Sequence, residues 1–290
     1  MGIVGAIIGD IVGSRFEFNH PEDFDYENCE LFTDECKYTD DTVMSIATGM
    51  TIVKAIEEGR LNNLSAYDFS NMYRKYGIRY PKAGYGDMFD EWIMSDDSET
   101  NDSYGNGAAM RISPIIDLIA IDYSDESFDK TIIKTMSSCS ITHHHPEAFI
   151  GATATNVCAY MAKFGYNKTD IYEFSKYAYP KEKYIFGVEI PLSDYKDKNI
   201  WSATCQNSVP IAISCFLESE SYEDFLRKVI CMRCDTDTIA AIGGNIAGEY
   251  YPIKFDTDEI FKRYLDKDLY NDLQKILEMK KWREKEMTNY

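Results

Sequence analysis

Two tetrapeptides far apart in the chain carry the densest oxygen chemistry. Thr39-Asp40-Asp41-Thr42 and Asp235-Thr236-Asp237-Thr238 each place two carboxylates and two hydroxyls in four consecutive residues. Each precedes an apolar run of helical character, Val43 to Ile56 after the first and Ile239 to Tyr250 after the second. At a helix start such residues serve as caps, because their oxygens accept orphan backbone N–H groups and the helix dipole favours negative charge. Brought face to face, four aspartates and up to four threonine hydroxyls would form a hard, all-oxygen cage. That donor set suits Mg²⁺, Mn²⁺ or Ca²⁺ and not zinc. Carboxylates that stay ionised at this density need cations among them, and two metal ions are the usual arrangement in a hydrolase.

Several other stretches must position or complete such a cage. Gly2 to Gly13 is small and apolar, with glycines at 2, 5, 9 and 13 and a lone charge at Asp10. Spacings of three and four put those glycines on one helix face. Glycine weakens a helix, so the compensation expected is close approach of a second helix. The helix after the second acidic motif, with Gly243, Gly244 and Gly248, has a matching composition. Glu17 sits in the polar loop that runs to Tyr38 and is a candidate acid, base or lid residue, against the plainer reading of a solvated loop carboxylate. Gly105-Asn106-Gly107 leads into a small-residue helical run, a way to bring backbone N–H groups near a phosphate or sugar. The same tripeptide also makes ordinary turns. Arg111, one turn further on, reads as paired with a structural carboxylate. His143-His144-His145 makes a poor zinc site, because neighbouring residues point in different directions. A capping turn that offers one imidazole to a ligand fits better.

Helical patterns also cover Val43 to Glu58, Ser65 to Tyr80, Ser127 to Ser138, Ala148 to Phe164, Asn167 to Tyr179, Thr204 to Leu217 and Tyr222 to Cys231. Pro81 to Asp102 and Lys181 to Ile200 read as irregular, and Asp258 to Tyr290 as a charged amphipathic surface element. No strand-type alternation, fixed-period repeat or linker stands out. The expected architecture is one all-α domain, residues 1–290, of roughly a dozen helices.

The chain has 30 Lys+Arg against 49 Asp+Glu, a formal charge of −19. That argues against nonspecific binding to nucleic acid or to an anionic membrane. No apolar run approaches a membrane span, and the N-terminal stretch lacks the basic region of a signal peptide. Eight scattered cysteines, several inside apolar stretches, read as reduced residues of a cytoplasmic protein. The lone Cys231-x-x-Cys234 has no second pair with which to hold zinc.

The order of motifs resembles the ADP-ribosylglycohydrolases. It runs Gly-Asp…Gly-Ser-x-x-Glu, Tyr-Thr-Asp-Asp-Thr, Gly-Asn-Gly-x-x-Met-Arg-x-x-Pro, Thr-His-x-His-Pro, then Asp-Thr-Asp-Thr-x-Ala-x-x-x-Gly, between Gly5 and Gly248. The resemblance implies an orthogonal all-α multi-helix bundle with two Mg²⁺ (or Mn²⁺). Thr39, Asp40, Asp41, Asp235, Asp237 and Thr238 match the metal-ligand motifs. Glu17 matches a mobile-loop glutamate. Gly105, Asn106 and Gly107 match the loop at the diphosphate or distal ribose, and His143 a ribose- or adenine-side contact. The implied reaction is hydrolysis of the bond joining ADP-ribose to a protein or small-molecule acceptor. Glu17, Asp40 or Asp237 would transfer the proton. The alternatives are a non-catalytic ADP-ribose-binding module and another nucleotide-directed metal hydrolase. The irregular stretches at 81–102 and 181–200 are where acceptor choice would lie.

Overall fold

In the computed structural model, residues 1–95, 100–196 and 203–288 are described, and parts of both irregular stretches (96–99 and 197–200) lie outside them. The elements are helical: α1 (Gly2–Gly13), α2 (Asp40–Glu57), α3 (Ala66–Arg79), α4 (Asp87–Met94), α5 (Gly107–Met110), α6 (Ser113–Leu118), α7 (Asp125–Cys139) and α8 (Pro146–Lys163). There follow α9 (Lys168–Ala178), α10 (Ser193–Lys196), α11 (Cys205–Glu218), α12 (Tyr222–Ile230), α13 (Thr236–Tyr250), α14 (Thr257–Tyr264) and α15 (Lys267–Thr288). A 3₁₀ turn lies at Leu61–Asn63. Among the described residues the only extended pairing is a single antiparallel bridge, Gly105 to Thr204.

The centre of the fold is the pair α1 and α13. Every residue of α1 is buried, and so is α13 from Thr236 to Gly248. The glycine stripe does what its spacing demands. A Cβ on Gly9 would lie 2.2 Å from the Ala240 carbonyl oxygen, and one on Gly13 would lie 2.5 Å from the Asp237 Cα. No side chain fits there, so the two backbones touch and Asp10 is held beside Asp237. One buried apolar cluster runs from α1 through α13 to α15.

The structure corrects three expectations. The irregular segment 81–102 contains α4, whose Phe89, Trp92 and Ile93 are buried. The helical run after Gly105-Asn106-Gly107 is a single turn, α5, which breaks at Arg111 before Pro114 restarts the chain as α6. The C-terminal stretch is two helices rather than one surface element. Leu269, Leu273 and Ile276 of α15 are fully buried, and Lys280 on the same helix reaches the buried Asp117. The 22-residue α15 has charge enough to look solvated, but one stripe of it is core.

Candidate active site

The two acidic tetrapeptides meet. Thr39 caps α2, with its side chain accepting from the Asp41 N–H at 3.4 Å. Asp235 occupies the cap position of α13. Across the gap, Thr238 Oγ1 donates to Asp41 Oδ2 at 3.1 Å.

Two overlapping groups of carboxylates result. One oxygen from each of Asp10, Asp41 and Asp237 lies within 4.8 Å of the others, and so does one from each of Glu17, Asp235 and Asp237. Asp237 belongs to both groups. Asp40 belongs to neither; it is partly exposed, and its backbone N–H is bonded to the Ala83 carbonyl at 2.9 Å. Its carboxyl lines the cleft, 3.5 Å from where a Cβ on Gly84 would lie.

Asp10 was missed as a site residue. It is fully buried and takes the backbone N–H groups of Thr39 (3.0 Å) and Thr42 (3.1 Å) and both their hydroxyls, Thr39 Oγ1 at 2.7 Å. The signal was there to read: a lone aspartate in an otherwise apolar, glycine-striped helix is costly to bury unless its oxygens are bonded.

The electrostatics are unbalanced. Burial raises the Asp41 and Asp237 carboxyls well above the usual range, and the neighbouring aspartates raise them further. Glu17, partly exposed, is lifted to about 7 by burial and by the Asp235 charge. Asp41 Oδ1 is buried with no hydrogen-bond partner. An orphaned carboxylate oxygen among mutually repelling carboxylates is the donor set that a hard divalent cation fits.

Glu17, Asp40, Asp235 and Asp237 line a cleft of about 460 Å³, and Asp10 and Asp41 are buried beside it. Its far side is built from Gly105, Asn106, Gly107, Arg111 and His143. Asn106 is turned inward, its Nδ2 donating to Asp235 Oδ2 (2.7 Å) and Ser208 Oγ (3.0 Å). It therefore orients a carboxylate. A Cβ on Gly107 would press to 3.0 Å from His143 Nε2, which explains glycine there.

His145 caps α8 by accepting from the Glu147 N–H at 3.1 Å, while His143 faces the cleft. Arg111 differs from expectation: it has no carboxylate partner among the described residues. It is buried against the rings of Tyr73 (4.0 Å) and Phe89 (5.6 Å) and donates to Thr142 Oγ1 (2.5 Å) and the Ser138 carbonyl (3.2 Å). It also lies 3.5 Å from His143 Nδ1. A guanidinium only donates, and Thr142 Oγ1, which accepts from Arg111, can turn its own proton to Nδ1 at 3.0 Å. Both contacts are met with Nδ1 accepting and the proton on Nε2, the nitrogen nearest Gly105 and Gly107. Burial and Arg111 both push the His143 pKa well below its usual value, so the ring is neutral at physiological pH.

A family model described as ADP-ribosylglycohydrolase matches residues 1–281. The chain therefore belongs to the ADP-ribosylglycohydrolase family. A solved structure described as an ADP-ribosylglycohydrolase-related protein complex shares the fold. It aligns with a TM-score of 0.70 at 16% identity, with 96% of each chain covered. The all-α architecture and the family together support a glycohydrolase function. None of the helices among the described residues is long and apolar enough to cross a membrane.

Proposed function

We propose that this protein is a divalent-metal-dependent hydrolase that cleaves the glycosidic bond between ADP-ribose and an acceptor, a protein side chain or a small molecule. The observation that carries the reading is the pair of carboxylate groups sharing Asp237, with an orphaned buried oxygen on Asp41, at the floor of an open cleft.

Asp10, Asp41 and Asp237 would hold one cation, and Glu17, Asp235 and Asp237 a second, with two Mg²⁺ or Mn²⁺ as the occupants. Thr238 braces Asp41, and Thr39 braces Asp10 and Asp41. When bound, such ions act as Lewis acids and make water a better nucleophile near neutral pH.

The chain's own residues do the rest. Cleavage of a ribosyl bond builds positive charge on the sugar, which a carboxylate-lined floor stabilises. Of the three candidate proton-transfer groups, Asp237 is engaged in both cation groups. Glu17 belongs to one of those groups and Asp40 to neither, and both are partly exposed at the cleft. Asp40, at the cleft and outside both cation groups, is placed to take and return a proton, whereas Glu17 is lifted to about 7 by burial and Asp235 only while no cation is held beside it.

Arg111 is the only Lys or Arg among the described residues lining the cleft, and it lies buried behind His143. The Gly105 N–H is bonded to Ser103 Oγ at 3.1 Å and the Asn106 N–H to the Ala203 carbonyl at 3.0 Å, so an anionic substrate there would be met by the Gly107 N–H and by His143 Nε2–H.

The test is release of free ADP-ribose from a panel of ADP-ribosylated acceptors, with Mg²⁺ and with EDTA. Metal-dependent release from one acceptor class is expected. Binding of ADP-ribose with no release from any acceptor would replace the hydrolase with a binding module.

A further inference from the structure

We propose a second ligand site, separate from the catalytic cleft, that takes a small oxyanion (a carboxylate or a phosphate) carrying a short apolar body. It is a cavity of about 260 Å³ between the 3₁₀ turn at Leu61–Asn63, the segment from Ile119 to Ser124, α7 and α15. It shares no lining residue with the cleft.

Of the three cations that line it, Lys130 pairs with Glu126, while Lys134 and Arg283 form no ion pair among the described residues. Arg283 has a buried Nε with no hydrogen-bond partner, and no ion pair to Arg283 occurs among the described residues. Lys134 is almost fully buried, and its ammonium group meets only main-chain carbonyls, Leu64 at 2.7 Å and Asn62 at 3.2 Å. Two carboxylates, Asp122 and Glu126, also line the cavity, and Asp68 lies near Lys134; each has another partner. Glu126 bonds Lys130 at 2.6 Å, Asp122 accepts from the Ser124 hydroxyl, and Asp68 bonds Arg60 at 2.8 Å.

Partly buried cations that lack counter-ions are unexpected in a chain of charge −19, which has carboxylates to spare. Buried charges are normally paired, and an arginine fork matches the two oxygens of a carboxylate or phosphate. Ile119, Ile121 and Ile133 also line it, so the lining divides between charged and apolar groups. That division suits an organic acid or an organic phosphate better than a bare ion.

The experiment is calorimetric titration of the full chain with inorganic phosphate, phenyl phosphate and benzoate. It is repeated on Arg283→Gln, on Ile133→Glu and on Asp41→Asn. Ile133 is exposed, so its replacement does not threaten folding and adds a competing negative charge beside the cavity. Saturable binding of at least one organic anion is expected, weakened about 10- to 100-fold by Arg283→Gln and by Ile133→Glu. It should persist in Asp41→Asn, whose defect lies in the catalytic cleft. Preference for phenyl phosphate or for benzoate identifies which oxyanion the site takes. Absence of saturable binding at millimolar ligand would overturn the site. So would binding indifferent to both cavity variants, or lost only in Asp41→Asn. The result does not depend on ADP-ribose release, so either proposal can fail alone.

Discussion

Helix α1 has a buried carboxylate site near each end, and the two are treated in opposite ways. Near its start, Asp117 is buried, accepts the Ile3 N–H at 2.7 Å and is ion-paired with Lys280 of α15. Burial alone would raise its pKa, but Lys280 and the other nearby cations outweigh that and hold it at about 2. Towards its other end, Asp10 joins Asp41 and Asp237, equally buried, with no lysine or arginine among them. There burial and like charge act together, and the Asp41 and Asp237 carboxyls rise well above their usual range. The same fold thus supplies its own cation at one place and withholds it at the other. A buried carboxylate with an internal counter-ion is a structural device. A cluster of them without one could hold cations from solution.

The comparison breaks first if the Asp117 pair is not structural. Lys280→Met removes the ion-pair partner of buried Asp117, and of Glu249 at 3.9 Å, and should cost about 3–5 kcal/mol, read by urea unfolding. Asp117→Asn combined with Lys280→Met keeps the Ile3 bond and should recover most of that loss. If the double variant is as unstable as the single one, charge pairing is not what Lys280 contributes.

The converse holds at the other end. Asp237→Asn should lower turnover and metal affinity together by at least about 100-fold, comparable to the upper range for altering groups that support a metal site. It should also make the metal-free protein more stable, because it removes a repelling charge. A parallel loss of stability in EDTA would show that Asp237 holds the fold and not a cation.

The smallest effect sharpens the contrast by pH. Carboxyls raised in the folded state keep protons that the unfolded chain releases above about pH 4. Metal-free protein should therefore lose stability as pH rises from 5 to 8, with a fall in Tm of about 2 °C per pH unit for each proton the folded state retains. Mg²⁺ should flatten that slope. The Asp117 pair has the opposite sign: its stabilisation is present above the unfolded value and fades only as pH falls towards 2. A slope unchanged by Mg²⁺ would mean that the cation does not sit among these carboxylates.

Much of this was legible in the chain. The acidic tetrapeptides at helix starts, the glycine stripe of α1 and the composition of α13 are local patterns. Local patterns report directly on capping and on how closely two helices can approach. The all-α class followed from helical periodicity and the absence of strand alternation, and the family from the order of five motifs.

What the chain could not reveal were facts about distance. Asp10 could be placed near the packed helices but not in the carboxylate cluster, because its partners Thr39 and Thr42 lie 29 and 32 residues away. Asn106 reads as a substrate contact, and nothing local to it shows that its amide also bonds Asp235, 129 residues on. Lys280 looked like one more surface lysine, and Arg111 like half of a salt bridge. A side chain's charge is written in the sequence, but whether it meets an opposite charge, an aromatic face or nothing is decided only when helices far apart in the chain pack together.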